Sequence, residues 1–216
     1  MTTSEPFIIT INRELGSGGR TVGALVAQSL QVPFYDKAVI QGLEQKYHLT
    51  VEEIEKRKLK KKSWWDDFAL IRPFYDASQM EFQMRQLQEK EGYGAITSES
   101  IFIAESQILH AIADAGSSVI AGRNAFWVLK DHPNHLNVLI QAPLEQRVER
   151  VMRKQQLDKD EALQLIRKMD DARETYVQRF TGTSRYDARN YSLMISMAGK
   201  SEEEARDLIL KYIGIL

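Results

Sequence analysis

A strand, a glycine-rich turn and a helix are predicted in direct succession near the N-terminus, in IITINRELGSGGRTVGALVAQSL over Ile8–Leu30. The short apolar run Phe7–Ile11 is typical of a strand buried on both faces. After the glycines, apolar residues recur at helical spacing and predict a helix over Thr21–Leu30. A loop between a buried strand and a helix N-terminus presents unpaired backbone N–H groups, and glycines let an anion approach them closely. The order of elements therefore favours a βα unit with an anion-binding turn.

The same alternation of strands and helices continues along the chain. Four further apolar runs predict strands: VPFYD ending at Asp36, SSVIAG over Ser117–Gly122, LNVLIQA over Leu136–Ala142 and YSLMISM over Tyr191–Met197. Gly116 is expected to end a helix, Pro143 to open one and Ser201 to cap the last one. Strands that alternate with helices indicate an α/β protein whose open parallel sheet is covered on both faces.

Charge and composition narrow the classes of protein to consider. The 29 basic and 30 acidic side chains nearly cancel, so the overall charge gives no reason to expect nucleic acid or a membrane as the main partner. The chain has no cysteine, which excludes disulfides and thiolate metal sites. No apolar run approaches the length of a membrane span, and the N-terminus lacks a signal-peptide pattern. We therefore expect a soluble, cytoplasmic protein.

Two charged intervals, at about 44–95 and 152–190, interrupt the alternation. Both resemble insertions at the edge of the sheet, and without a low-complexity linker they are expected to be moving parts of one domain over residues 1–216. The first interval contains KRKLKKKSWW, the strongest local positive charge of the chain. It is interpreted as a solvated helix end that tryptophans anchor, and a contribution to acceptor binding or to a dimer contact stays open.

The glycine turn matches the phosphate-loop pattern G-x-x-x-x-G-K-[ST] imperfectly, in either of two registers. In the first, Gly19 is the second glycine, Arg20 stands for the lysine and Thr21 for the hydroxyl on the metal side. In the second, aligned without a gap to nucleotide kinases that read G-x-x-G-x-G-K-[GS]-T, Gly16, Gly18 and Thr21 match. Gly19 then takes the place of the lysine. Taken alone, the turn is either a phosphate loop or a plain strand-to-helix turn.

The chain as a whole resembles the cytidylate kinase-like family, a branch of the P-loop nucleoside monophosphate kinases. The segments that carry the resemblance follow the order of the family: the turn quoted above, PFYDKAVI, VIAGRNAFWVLKDHP, LEQRVERVMRKQQLDKDEALQLIRKMDDARETYVQRF and YSLMIS. The missing lysine and the interval 44–95 depart from the family pattern. The resemblance implies a three-layer P-loop NTPase fold with a parallel five-stranded sheet, a helical acceptor-binding insert and an arginine-rich lid.

The resemblance also implies ATP and Mg²⁺ as cofactors and nucleotide small molecules as partners. The reaction would be phosphoryl transfer to a nucleoside monophosphate, with CMP or dCMP as first candidates. The donor phosphates would lie on Gly16, Ser17, Gly18, Gly19, Arg20 and Thr21. Arg20 would supply the missing cationic charge, although its planar fork does not reproduce a compact ammonium, and Thr21 would face the magnesium.

The expected acceptor residues follow two of the predicted strands. Asp36 matches a strand-terminal aspartate of the family, and capping of the next helix is its alternative role. Arg123 in AGRNAF stands where the family has Asp-Gly-Arg-Asp, and its guanidinium would clamp the acceptor phosphate in bidentate fashion. A surface salt bridge is the alternative for Arg123.

The segment after Pro143 is expected to form the lid. Phosphoryl transfer depends on positioning and on cationic groups around the transferred group, and this segment contains Arg147, Arg150, Arg153, Arg167, Arg173 and Arg179. For most of them a solvated helix face is the simpler explanation. We expect catalytic roles for Arg150, Arg153 and Arg173, and next for Arg179.

Other classes of function have less support in the sequence. The four histidines have no metal-ligand spacing, and neither a Gly-x-Ser-x-Gly elbow nor a dinucleotide-binding G-x-G-x-x-G occurs in the expected context. Two rivals to a nucleoside monophosphate kinase stay open. One is a nucleotide- or anion-binding regulatory protein with a degenerate kinase site, and the other is a kinase for another small acceptor. Homo-oligomer formation also stays open.

Overall fold

Five parallel strands form one sheet in the computed structural model, which describes residues 1–36 and 98–216. The strands are β1 (Ile8–Arg13), β2 (Phe34–Tyr35), β3 (Ser118–Ala121), β4 (His135–Gln141) and β5 (Leu193–Ser196). They lie in the order β2-β3-β1-β4-β5, and each neighbouring pair is parallel. The predicted α/β fold with a five-stranded parallel sheet is confirmed, and β1 lies at its centre.

Helices connect the strands. In the described part of the chain they are α1 (Gly19–Ser29), α2 (Ser98–Ala115), α3 (Ala125–Val128), α4 (Leu144–Gln155), α5 (Lys159–Thr181) and α6 (Glu202–Tyr212), with a 3-10 turn at Ala188–Asn190. Three predicted helix ends are confirmed. Pro143 is the residue before α4, Gly116 follows α2 with a φ of 141°, and Ser201 caps α6 in a capping box with Glu204.

The chain divides into two compact units, Met1–Lys37 with Leu109–Leu216, and Ala38–Ile108. The predicted acceptor insert at 44–95, with its basic stretch, lies outside the described residues. The predicted lid segment consists mainly of α4 and α5, which bury Val148, Val151, Ala162 and Ile166 against each other. Among the described helices, none is long and apolar enough to cross a membrane.

One face of the sheet packs against α1 and α6. Side chains alternate along a strand, so Ile9, Ile11 and Arg13 of β1 share this face. Ile9 and Ile11 are fully buried there in a cluster that includes Val22 of α1 and Ile209 of α6. The last residue of β1 on the same face, Arg13, therefore comes level with the first turn of α1.

The opposite face of the sheet carries a polar network. Asn137 donates its amide hydrogens to the carbonyl oxygens of Phe126 and Asn190, at 3.4 and 2.5 Å, so its Oδ1 is left to accept from Thr10 at 2.7 Å. The Thr10 oxygen also lies 2.7 Å from Nε2 of His135. Because the Thr10 hydroxyl donates to Asn137, His135 donates to Thr10 from Nε2.

This network predicts a pH-dependent stability. Burial and then the neighbouring His132 lower the pKa of His135 from 6.5 to about 4. The unfolded chain thus takes up this proton at higher pH than the folded chain. The contribution of neutral His135 to the free energy of unfolding is complete above about pH 6.5 and is lost as the pH falls to about 4. Over this window we expect a loss of about 2–3 kcal/mol in the free energy of unfolding, measured by urea denaturation.

Two histidine variants test this assignment. His135→Gln should remove that part of the pH dependence, and His110→Gln, which changes an exposed histidine of α2, should retain it. An unchanged slope in His135→Gln would contradict the assignment.

Candidate functional site

The loop between β1 and α1 has the backbone of an anion-binding turn. Gly16 and Gly18 have φ angles of 83° and 84°, which glycine adopts without strain. A Cβ atom on Gly16 would lie 2.7 Å from the carbonyl oxygen of Arg147, so only glycine fits there. Gly18 precedes α1, and no side chain caps this helix. Apart from the amide of Gly19, which faces the Ser17 hydroxyl, the N–H groups of its first turn are therefore available to an anion.

Hydrogen bonds inside the loop close the turn. The Ser17 hydroxyl donates to the carbonyl oxygen of Glu14 at 2.9 Å and faces the amide of Gly19 at 3.4 Å. The Glu14 carboxylate accepts a hydrogen bond from the amide of Ala142, after β4, at 3.1 Å. Ser17 is 1% exposed, so the loop is packed into the end of the sheet.

A buried ion pair holds the loop from outside. Arg147 of α4 donates from Nε to the carbonyl oxygen of Leu15 at 2.8 Å and lies 3.2 Å from the Glu14 carboxylate. Its Nη2 donates to Asp170 of α5. Asp170 in turn accepts from the amide of Leu15 at 3.1 Å. Both polar groups of one loop residue are thus held by side chains from two helices.

Guanidinium groups gather at the end of β1. Arg185, which is 1% exposed, donates from Nη2 to the carbonyl oxygen of Arg13, and Arg173 donates to the same oxygen at 3.4 Å. Asp170 lies 3.5 Å from Arg173 and 3.7 Å from Arg185. Burial and then Arg185 lower the pKa of Arg173. Burial and then Arg173 lower the pKa of Arg13 to about 9. This end of β1 is therefore strongly electropositive.

Arg13 and Arg185 were not among the residues predicted from the sequence. The alternation of β1 places Arg13 on the face that carries α1, and this signal was available in the sequence. Arg185 lies in a segment with no periodicity or motif, and only the tertiary structure brings it to β1.

The structure brings two predicted residues, Arg20 and Asp36, together. Arg20 donates from Nε to the Asp36 carboxylate at 2.5 Å. The Arg20 side chain is 64% exposed, whereas the Asp36 side chain is 6% exposed. The pair joins the first turn of α1 to the end of β2. Thr21, the next residue of that turn, is half-buried.

Two of the predicted lid arginines reach the loop. The Arg150 guanidinium would lie 3.2 Å from a Cβ atom on Gly18, and it forms an ion pair with Glu202 of α6. Arg173 lies at the end of β1, as described above. Arg153 and Arg179 are exposed on α4 and α5, and Arg179 lies 5.5 Å from the Phe180 ring centre.

The predicted acceptor residue Arg123 follows β3, the neighbour of β1. Arg123 is half-buried and has a φ of 56°, in the left-handed region. Gly122, directly before it, donates a hydrogen bond to the carbonyl oxygen of Ile11 at 3.1 Å. Arg123 is therefore held at the carboxyl edge of the sheet, on the same edge as the loop.

The arrangement fits a polyphosphate. At Gly16 the loop forms a cradle that has no room for a Cβ atom, and it lies at the uncapped start of α1. Buried guanidinium groups surround this cradle. The Nε and Nη1 atoms of Arg185 are buried and have no hydrogen-bond partner among the described residues. No group of three or more histidines, aspartates or glutamates in residues 1–36 and 98–216 could hold a metal ion.

The role of Asp170 can be tested by substitution. Asp170→Asn removes the negative charge that pairs with Arg147, Arg173 and Arg185, and leaves Glu14 as the acidic partner of Arg147. Breaking a buried ion pair typically costs about 3–5 kcal/mol. We expect a loss of that order in the free energy of unfolding, measured by urea denaturation. Asp171→Asn, which alters the exposed neighbour on the same helix, should change it by less than about 0.5 kcal/mol. Equal effects of the two variants would show that Asp170 does not hold the loop.

Solved structures share this fold. An uncharacterized protein from Eubacterium ventriosum superposes with a TM-score of 0.68 at 23% identity, over 96% of this chain and 98% of that chain. Shikimate kinase from Acinetobacter baumannii, solved with shikimate, has a TM-score of 0.50 at 16% identity, over 98% and 94%. Shikimate kinase from Bacteroides thetaiotaomicron has a TM-score of 0.50 at 14% identity, over 96% and 98%.

The fold is therefore that of the P-loop kinases. No curated protein matches the sequence. The family model described as the cytidylate kinase-like family matches residues 8–199, from the first residue of β1 to beyond β5. Since this match covers most of the chain and every strand of the described sheet, the chain belongs to the cytidylate kinase-like family.

Proposed function

We propose that the protein transfers the γ-phosphoryl group of ATP to a nucleoside monophosphate, with CMP and dCMP as the first candidates. Membership of a kinase-like family supports a phosphotransferase. The observation that carries the proposal is the uncapped start of α1, which follows a glycine cradle and lies among arginines. Such a site offers amide hydrogens and positive charge to a polyphosphate.

In this proposal the loop holds the donor. ATP supplies the phosphoryl group when bound, and Mg²⁺ offsets part of the phosphate charge. The residues that would bind the phosphates are Gly16, Ser17, Gly18, Gly19, Arg20 and Thr21. Thr21 would give its hydroxyl to the metal. Arg20 would add positive charge at the outer side of the cradle, where its ion pair with Asp36 holds the side chain.

Positive charge from the lid would complete the site. Little covalent chemistry is required of the protein in phosphoryl transfer, so orientation and charge compensation are the main contributions. Arg150 and Arg173 already lie near the loop, and Arg153 and Arg179, which are exposed on α4 and α5, would add positive charge around the phosphates. Within a single domain over residues 1–216, the segment 152–190 would act as the lid.

The acceptor would bind at the neighbouring strand ends. Arg123 would hold the acceptor phosphate, because a guanidinium can donate two parallel hydrogen bonds to it. Asp36, which is 4% exposed, would orient the acceptor from the end of β2. An acceptor-binding role is also proposed for the segment 44–95, which lies outside the described residues.

One observation favours a second candidate, a nucleotide-binding regulatory protein. The loop has Gly19 where a lysine stands in the second register, and loss of one transition-state contact can cost about 3–4 kcal/mol. A scaffold of this kind would bind ATP without efficient turnover. A kinase for another small acceptor, such as a hydroxy acid, is the third candidate.

The three candidates separate in one assay. ADP production is measured with ATP and Mg²⁺ against a panel of nucleoside monophosphates and small hydroxy acids, and ATP binding is measured by calorimetry. We expect CMP or dCMP to stimulate ADP production most. Stimulation by a hydroxy acid alone would favour the third candidate. ATP binding without stimulation by any acceptor would favour the regulatory protein.

The proposed metal contact of Thr21 gives a separate prediction. Thr21→Ala removes the hydroxyl and should lower kcat/KM by about tenfold or more, which corresponds to about 1.4 kcal/mol of transition-state stabilisation. Thr21→Ser keeps the hydroxyl and should stay within about threefold of the wild type. The two variants are compared over a range of Mg²⁺ concentrations. Equal activity of both would contradict a metal contact by this side chain.

A further inference from the structure

The side chain of Arg13 occupies the space beside Gly19. A Cβ atom on Gly19 would lie 2.6 Å from Cβ and 3.1 Å from Cγ of Arg13. The first distance is shorter than real Cβ contacts and the second is tighter than most, so a side chain at position 19 would force Arg13 to shift. The contact follows from the fold, because Arg13 ends β1 on the face that α1 covers and α1 begins at Gly19. A lysine at position 19 and an arginine at position 13 would compete for the same volume.

The far end of Arg13 reaches a second glycine. A Cβ atom on Gly122, in the turn after β3, would overlap Nη1 of Arg13 and would lie 3.0 Å from its Cζ. The side chain therefore extends from the first turn of α1 to the turn after β3. Both turns end at the carboxyl edge of the sheet, where α/β proteins bind their ligands. Two glycines from different βα turns leave the room that this side chain fills.

Among the described residues, the guanidinium groups around Arg13 outnumber the nearby carboxylates. Arg173 and Arg185 approach its backbone oxygen, and Asp170 is shared between both of them and Arg147. Asp36 is the acid that acts on Arg13, and Arg20 already binds it at 2.5 Å. Clustered guanidinium groups repel one another and are stabilised by an anion between them. With a pKa of about 9, Arg13 is still mostly charged at neutral pH.

Arg20 differs from Arg13 in its surroundings. Its side chain is 64% exposed and donates to Asp36, whereas the Arg13 residue is partly buried between two glycine turns. An electrostatic contact is stronger in the less exposed position, because less water screens it. Arg13 is thus the better placed of the two to act at close range on a bound phosphate.

We propose that Arg13 takes over the role of the absent loop lysine and contacts the polyphosphate of ATP from the β1 side of the cradle. The inference rests on the proposed function and deepens it, since it names the cation of the donor site. It also gives a physical reason why position 19 is glycine where the family pattern has a lysine. Glycine is required there because Cβ and Cγ of Arg13 occupy the space beside position 19, and the positive charge would come from position 13 instead.

Binding measurements test the proposal directly. The affinity for ATP with Mg²⁺, and for inorganic tripolyphosphate, is measured by calorimetry for the wild type and for two variants of Arg13. Arg13→Met keeps an unbranched apolar stem and removes the guanidinium group with its charge, so the affinity should fall about tenfold or more. Arg13→Lys keeps the charge and should lose less. As a control, Arg206→Gln, which changes an arginine paired with its neighbour Asp207 on α6, should bind ATP like the wild type.

An exchange of positions separates a binding role from a structural one. Gly19→Lys alone should lose ATP binding, because its Cβ meets Arg13. The double variant Arg13→Gly with Gly19→Lys should bind ATP at least tenfold more tightly than Arg13→Gly alone. This comparison also decides the matter if Arg13→Met does not fold, as judged by circular dichroism.

The binding measurements distinguish failure of the role of Arg13 from failure of the proposed function. Wild-type affinity in a folded Arg13→Met variant, or no gain in the double variant over Arg13→Gly, would overturn the role of Arg13 and leave the proposed function intact. A wild-type protein that binds neither ATP nor tripolyphosphate would overturn the proposed function, and the inference with it.

Discussion

The shape of the glycine loop depends on the buried ion pair between Arg147 and Asp170. Arg147 holds the carbonyl oxygen of Leu15 and Asp170 holds its amide, so α4 and α5 together fix one peptide segment of the loop. The pair is buried, and without Asp170 the Arg147 guanidinium would retain only Glu14 as an acidic partner among the described residues. The cradle is therefore formed before any ligand binds, which is the condition under which fixed dipoles and charges act most strongly.

The positive charge of the site is local. The whole chain has 29 basic and 30 acidic side chains, yet Arg13, Arg147, Arg150, Arg173 and Arg185 gather around one loop. Their acidic partners Glu14, Asp170 and Glu202 serve mainly to hold the arginines in place. The fold thus concentrates positive charge at an uncapped helix start without raising the net charge of the molecule.

Much of the fold could be predicted because its signals are local. Apolar runs marked all five strands, and Pro143 and Ser201 marked helix starts through backbone geometry and capping. The candidate site was harder to predict because its contacts join distant parts of the chain. The hydrogen bond from Arg185 to Arg13 spans 172 residues, and no sequence pattern around Arg185 predicts it.

By itself the sequence determined the order of strands and helices, the glycine turn after β1 and the absence of a lysine from that turn, because each follows from residues close in the chain. Only the tertiary structure decided which cations surround the turn. The parallel order of the strands brings the ends of β1 and β3 together, and this neighbourhood places Arg13 between Gly19 and Gly122. Packing of α4 against α5 then places Arg147 where it binds the loop. Its position in a charged helix did not predict this role.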